Sequence, residues 1–297
     1  MKEGLTEILR SHDTEQFSIV IPTWNSLEYL KLCLHGLRKY SHFYNQIIVF
    51  VNDGSDGTAQ WIHSQADIDY LQADENKGVC FAVNACRSLV KHDYILYMND
   101  DMIPCPDWDK HLAEEIERLN TPYFYLSATL IEPKQLNNPN YVAVIRDFGT
   151  SPENFQEEAL IAAYKSLKTP DWQGSSWPPS VVHKKVWDLI GGFSIEFSPG
   201  MYSDPDFSMK LWQLGVRIFK GVGESKVYHF GSRSTKRIRH NKGSRMFLNK
   251  WGLTSRTFYS QILQLGKPFV GPYPDKVELS FMSKTRNKLK KIIQSIN

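Results

Sequence analysis

Carboxylates at the ends of apolar runs are the first chemistry in this sequence. Asp100 and Asp101 close the stretch "YILYMNDDM", Tyr94 to Met102. Neighbouring side chains of an extended segment point different ways, so one acid can bind a hard cation while the other orients a sugar or a water. Oxygen ligands select Mg2+ or Mn2+, and one or two carboxylates plus substrate phosphates are a common way to hold Mg2+. A turn or helix-cap pair before "IPCPDWD" is the alternative. Asp53 ends another apolar run beside Gly54 and Gly57. It accepts either a ring N–H of a base or its own backbone in a turn.

His229 follows "KVYH" and precedes "GSRS". A neutral imidazole suits Mn2+ or a diphosphate, and Arg233 with its hydroxyl neighbours suits phosphate oxygens. Asp204 and Asp206 flank Pro205 ahead of a helical pattern. They are first-turn acids favoured by the helix dipole, or one of them is a general base. Trp177 and Trp172 either stack on acceptor sugar faces or anchor the fold.

The elements that must position these groups follow from periodicity. "FSIVIP", "QIIVFVND", "IDYLQAD" and "YILYM" are strand-like runs, the first of them stopped by Pro22. Helical patterns alternate with them: Asn25 or Ser26 to about Tyr40, from about Thr58, Asn76 to Val90, and a helix opened by Asp107. This order implies an α/β fold with a mostly parallel sheet, whose ligands lie beyond the carboxyl ends of the strands. "YFYLSATLI", "SVVHKKVWDLIGGF", "DPDFSMKLWQLG" and "VRIFKGVGESKVYHF" continue it less regularly. No Gly-rich dinucleotide or P-loop motif is present.

The 297 residues are 41% hydrophobic, and no apolar run reaches the roughly 18 to 20 residues that cross a bilayer. Met1–Gln16 is too polar for a secretory signal. Cys33, Cys80, Cys86 and Cys105 form no CxxC pair, which fits free thiols in a reducing cytoplasm. The net charge of +3 conceals an asymmetry, because Ser225–Asn297 carries 16 Lys and Arg against 2 acids. Such a block suggests an anionic partner or a solvated basic surface. "KTRNKLKKIIQSIN" aligns Leu289, Ile292, Ile293 and Ile296 with lysines opposite. This basic amphipathic helix either packs on the domain or lies on an anionic bilayer.

In order and spacing, "SIVIPTWN", "VFVNDGSDGT", "ADENKGVCFAVNAC", "LYMNDDM", "IGGFS", "MYSDPDFSMKLWQLG" and "VYHFGSRS" resemble the family-two nucleotide-sugar glycosyltransferases of the GT-A fold. The resemblance spans about Phe17 to Ser234. It implies a catalytic domain over residues 1–242, with a nucleotide-binding half near 17–120 and an acceptor half near 121–242. Residues 243–297 then form a helical basic extension. By the resemblance, Pro22, Thr23 and Asn25 line the nucleotide site and Asp53 faces the base. Asn76 and Lys77 sit near the nucleotide, and Asp100 faces sugar or ribose. "NDD" matches the family's DXD motif, with Asn99 in place of the first acid and Asp101 as the metal-binding one. His229 joins the metal, Mn2+ or Mg2+, and Asp204 is the general base. Asp206 and Trp177 are acceptor-side candidates.

The Q-x-x-R-W motif of processive synthases is absent. The resemblance therefore implies an inverting transfer of one sugar per event, in the service of polysaccharide biosynthesis. The donor is a nucleoside-diphosphate sugar, UDP favoured, and the acceptor a saccharide or lipid-linked saccharide. The expected location is cytoplasmic, peripheral at the inner face of the membrane if the last helix binds lipid. A sugar nucleotidyltransferase would open with a basic Gly-rich loop where this chain has "IPTWNSLEYL". A carbohydrate-binding module is the non-enzymatic rival. Nucleic acid is not expected, since "RSTKRIRHNKGSRMF" holds one aromatic.

Overall fold

The computed structural model describes residues 16–135, 142–231 and 241–296. The first part alternates strand and helix: β1 (Phe17–Trp24), α1 (Leu27–Tyr40), β2 (Gln46–Asn52), α2 (Thr58–His63), β3 (Ile68–Ala73), α3 (Val79–Cys86), β4 (Tyr94–Tyr97), β5 (Met102–Pro104) and α4 (Trp108–Leu119). Then come β6 (Phe124–Glu132), β7 (Ala143–Ile145), α5 (Glu157–Ala163), β8 (Trp172–Gln173), β9 (Ser180–His183), α6 (Lys184–Ile190), α7 (Ser203–Leu214) and β10 (Ile218–His229). The chain ends with α8 (Gly243–Trp251), the short turn α9 (Ser255–Thr257) and α10 (Phe281–Ile296).

The strands pair in the order β3-β2-β1-β4-β9-β6-β10-β5, with β7 beside β6 and β8 beside β10. The run β3-β2-β1-β4 is wholly parallel. Parallel strands covered on both faces lose the polar/apolar alternation of a half-exposed strand. Accordingly, Ile19 and Ile21 of β1 point to a core shared with Leu30 and Leu34 of α1, and Trp108 and Leu112 of α4. Val20 between them points to the opposite core, with Val83 of α3, Trp187 of α6 and Phe207 of α7.

Strand β1 continues through Pro22 to Trp24, two residues past the stop expected at the proline. Val20 O accepts the Met98 N–H on the β4 side. By alternation Pro22 faces that side too, and β4 has ended at Tyr97, so its missing N–H leaves no ladder bond unmade. The helix that follows is capped differently from expectation. Ser26 occupies the N-cap, but its hydroxyl donates back to Trp24 O at 3.4 Å rather than capping the helix. The Asp56 carboxylate instead accepts the Leu27 N–H at 2.9 Å.

Only Met98–Asp101 link β4 to β5, although three strands lie between them in the sheet. A flat sheet would separate the two by about 19 Å, and a fully extended link reaches at most about 18 Å. Asp100 and Asp101 form a turn, so the sheet must curl to bring its far edge back over the rim. Strand β5 runs antiparallel to β10 and sets Met102 opposite His229. This strand was not foreseen.

The segment after Gly243 shares the domain's core: Phe247, Phe258, Leu263 and Tyr273 pack with Trp212 and Phe219. All four cysteines are buried free thiols. Among the described residues no helix is long and apolar enough to cross a membrane.

Candidate active site

The parallel strands deliver their carboxyl ends, and hence Asn25, Asp53, Asn76 and the Asn99–Asp101 turn, to one rim. Asn25, with φ +46°, donates from Nδ2 to Asp53 Oδ2 at 2.8 Å and accepts the Gly54 N–H at 3.0 Å. The Asn25 and Ser55 side-chain hydrogen bonds hold the Asp53 carboxyl below the usual range. Asp53 is thus an ionised acceptor fixed in direction. Pro22 is half-buried just behind Thr23. Thr23 is buried and donates its hydroxyl to Asp100 Oδ2 at 2.6 Å.

On the neighbouring loop, Asn76 Oδ1 accepts the Gly78 N–H at 2.9 Å. The Lys77 N–H is held by Asn52 Oδ1 at 2.9 Å, while its ammonium pairs with Glu75 at 2.5 Å in solvent. Gly78, at φ +80°, lets this loop touch the chain entering α7: a Cβ there would meet Pro199 Cα at 2.8 Å. Val79 N–H donates to Pro199 O at 3.0 Å. The two halves of the rim are therefore locked to each other.

Asp101 and His229 meet, as expected. Asp101 Oδ1 lies 3.4 Å from His229 Nε2, and the Phe230 N–H is bonded to Asp101 O. His229 Nδ1 is gripped by Glu132 Oε1 at 2.5 Å. Both His229 and Glu132 are buried. Burial pulls the imidazole pKa down, but the Asp101 charge and the Glu132 hydrogen bond outweigh it and lift it to about 10. Buried Nε2 makes no hydrogen bond of good geometry, although it faces a carboxylate. With its proton displaced, that nitrogen and the Asp101 oxygen fit Mn2+, or Mg2+ through the carboxylate. Among the described residues no third His, Cys, Asp or Glu converges there, which leaves the other positions to phosphate oxygens and water.

Glu132 is a residue that sequence reasoning missed. It ends the wholly buried strand β6, and a carboxylate closing an apolar run is the same signal that marked Asp100.

Asp204 stands at the first turn of α7. Among the described residues nothing donates a hydrogen bond to it, and burial lifts its pKa to about 7. Its charge reaches Tyr97, Cys80 and Tyr259, each raised chiefly by burial and next by Asp204. Tyr97 also feels Asp100, so both Asp204 and Asp100 lie near that phenol.

Asp206, two residues on, is placed differently. It is fully buried and points away from the rim to α8, where Lys250 lies at 2.9 Å and the Trp251 indole donates at 2.8 Å. Both contacts fall on Oδ1 and tie α7 to α8, while Oδ2 is buried with no hydrogen-bond partner among the described residues. Trp172 is structural: it is buried, donates to Thr129 Oγ1 at 2.9 Å, and lies flat on Gly221, where a Cβ would sit 1.7 Å from the indole. Trp177 is half-buried, edge-on to Tyr259 with ring centroids 5.9 Å apart. Arg233 falls outside the described residues.

Comparison with known proteins bears on the fold and the family. The chain is 24% identical over 250 residues to a hyaluronan synthase of Pasteurella multocida, an alignment covering 73% of this chain but 25% of that protein. The chain thus spans about a quarter of that relative's length. Among solved structures, S. aureus TarS 1–349 in complex with UDP superposes with a TM-score of 0.57 at 13% identity, over 93% of this chain and 70% of that one. GalNAc-T7 with UDP, GalNAc and Mn2+ does so with a TM-score of 0.57 at 13% identity, over 84% and 50%. At such identities the likeness shows the fold, which is GT-A. The model of the family described as Glycosyl transferase family 2 matches residues 18–166, half of the sequence. The chain belongs to glycosyl transferase family 2.

Proposed function

We propose that the protein is a metal-dependent, inverting glycosyltransferase that moves one sugar from a nucleoside-diphosphate sugar to a hydroxyl of a saccharide or lipid-linked saccharide. The observation that carries this reading is the contrast between two kinds of carboxylate near Tyr97. Asp53, Asp100 and Asp101 are each tied to a neighbour, whereas Asp204 accepts no hydrogen bond among the described residues and is raised to about 7.

Asp53 and Asn25 receive the base, Thr23 and Asp100 the ribose or sugar. Asn76 and Lys77 close over the nucleotide from the β3–α3 loop, with the Lys77 ammonium free to exchange Glu75 for a phosphate. Asp101 and His229 would hold Mn2+ or Mg2+, which when bound supplies positive charge to the departing diphosphate. Glu132 keeps the His229 ring turned so that Nε2 faces Asp101. Asp204 accepts the proton of the acceptor hydroxyl. The oxygen bonds to the anomeric carbon on one face while the carbon–phosphate oxygen bond breaks on the other, and the diphosphate leaves with the electron pair. A single displacement inverts that carbon. Trp177 lies on the acceptor side.

UDP is the favoured nucleotide because TarS and GalNAc-T7 were each solved with it. The match to a hyaluronan synthase supports a saccharide acceptor. A nucleotidyltransferase has less support, since the turn after β1 is closed by Asn25 and Asp53 rather than by basic groups. The test is calorimetric titration of UDP- and GDP-sugars with and without Mn2+, followed by product analysis. A Mn2+-dependent nucleotide affinity and an inverted product are expected. Metal-independent binding, or a retained configuration, would refute the reading.

A further inference from the structure

Helix α10 is built inside out. An amphipathic helix on a globular domain ordinarily buries its apolar stripe. Here the two buried side chains of the described part are Ser283 and Asn287. Asn287 Oδ1 accepts from the Thr254 N–H at 3.3 Å and the Thr257 hydroxyl at 3.1 Å, and Ser283 is bonded to Gln261. The helix is therefore held on the domain by its polar side. Its apolar side chains stand in solvent: Phe281 is 83% exposed, Met282 75%, Leu289 55% and Ile293 56%.

The cations are placed with equal order. At about 100° per residue, the apolar arc is centred opposite Ser283 and Asn287. Lys284, Lys288 and Lys291 border it on one side, Arg286 and Lys290 on the other, and all five are exposed. No acid lies on the helix.

We propose that α10 is a preformed docking surface for an anionic bilayer, with Phe281, Met282, Leu289 and Ile293 entering the acyl boundary and the flanking cations meeting lipid phosphates. An apolar stripe with basic borders is the arrangement that interfacial binding requires. Charge argues against a second copy of the chain as the occupant, because two such faces would oppose five cations to five. The inference stands independently of the catalytic reading, since α10 contributes nothing to the rim that holds Asp101 and Asp204.

The test is co-sedimentation of the full chain with vesicles of phosphatidylcholine alone or mixed with phosphatidylglycerol. Binding to the mixed vesicles, weakened by salt, is expected. The exposed pair Leu289→Asp with Ile293→Asp should lower the bound fraction at least about tenfold, as should Lys284→Glu with Lys288→Glu, with nucleotide affinity unchanged as the control for folding. No binding by the wild-type chain, or binding that the Asp pair leaves intact, overturns the proposal. Dimers in sedimentation that the Asp pair dissolves would assign the face to a second copy and overturn it equally.

Discussion

The two sides of the rim treat their carboxylates in opposite ways. On the donor side Asp53 is bonded by Asn25, Asp100 by Thr23, and Asp101 faces His229. Opposite, Asp204 enters α7 among Tyr97, Cys80 and Tyr259 with no donor of its own among the described residues. The same chemical group is held as a fixed, ionised acceptor in one place and raised in pKa by burial in the other. Hydrogen bonds to the ionised form favour charge, while burial without them disfavours it. A general base works best with a pKa near the working pH, which is the role proposed for Asp204.

Removing the lone carboxylate is the sharpest way to break this contrast. Asp204→Asn should lower turnover by about 10²- to 10⁴-fold with nucleotide affinity retained, as steady-state rates and calorimetry would show. The wild-type rate should rise with pH through about 7. Stability runs the other way. A folded-state value raised from 3.8 to about 7 means that Asp204 costs nothing below the unfolded value, and the folded state weakens as pH climbs between the two. The Asn variant should therefore melt higher than wild type at pH 8 but not at pH 4. A turnover that survives the substitution would place the base elsewhere.

On the donor side the metal pair can be graded. Asp101→Ala and His229→Ala should each abolish measurable Mn2+ binding by calorimetry. Glu132→Gln, which keeps the shape but weakens the grip on Nδ1, should cost about 10- to 100-fold in Mn2+ affinity. Equal losses in all three would make Glu132 a ligand rather than a positioning residue.

The smallest expected effect lies beneath the base. Lys250→Met strips the ion pair from buried Asp206 while the Trp251 indole still donates. Chemical denaturation should show a loss of about 2 kcal/mol, less than for a wholly enclosed pair because Lys250 is partly exposed. Turnover should change little at saturating substrate. A collapse of turnover instead would show that α8 tunes Asp204 through Asp206.

Much of the donor side was legible because it is local. Apolar runs ending in acids mark the carboxyl ends of parallel strands, and parallel strands put those ends together without further instruction. Asn25, Asp53, Asn76 and the Asp100–Asp101 turn all arrive at the rim that way. The acceptor side was less legible because its distinctions are nonlocal. Asp204 and Asp206 are two residues apart on the first turn of α7, and no pattern in the sequence says which faces the rim. Lys250 and Trp251, more than forty residues on, draw Asp206 to α8. Trp172 and Trp177 were equally ambiguous until Gly221 proved to lie under the first of them.

By itself the sequence determined the α/β alternation, the acids at the strand ends and the amphipathic character of the last helix. Each is a matter of side-chain period and type within a short window. Only the tertiary structure decided that Asp101 meets His229 through the unforeseen strand β5, that Glu132 stands behind that imidazole, and that α10 turns its apolar stripe outward. These depend on how the sheet curls and on which partners distant segments claim, and a one-dimensional pattern of polarity does not encode the direction in which a face points.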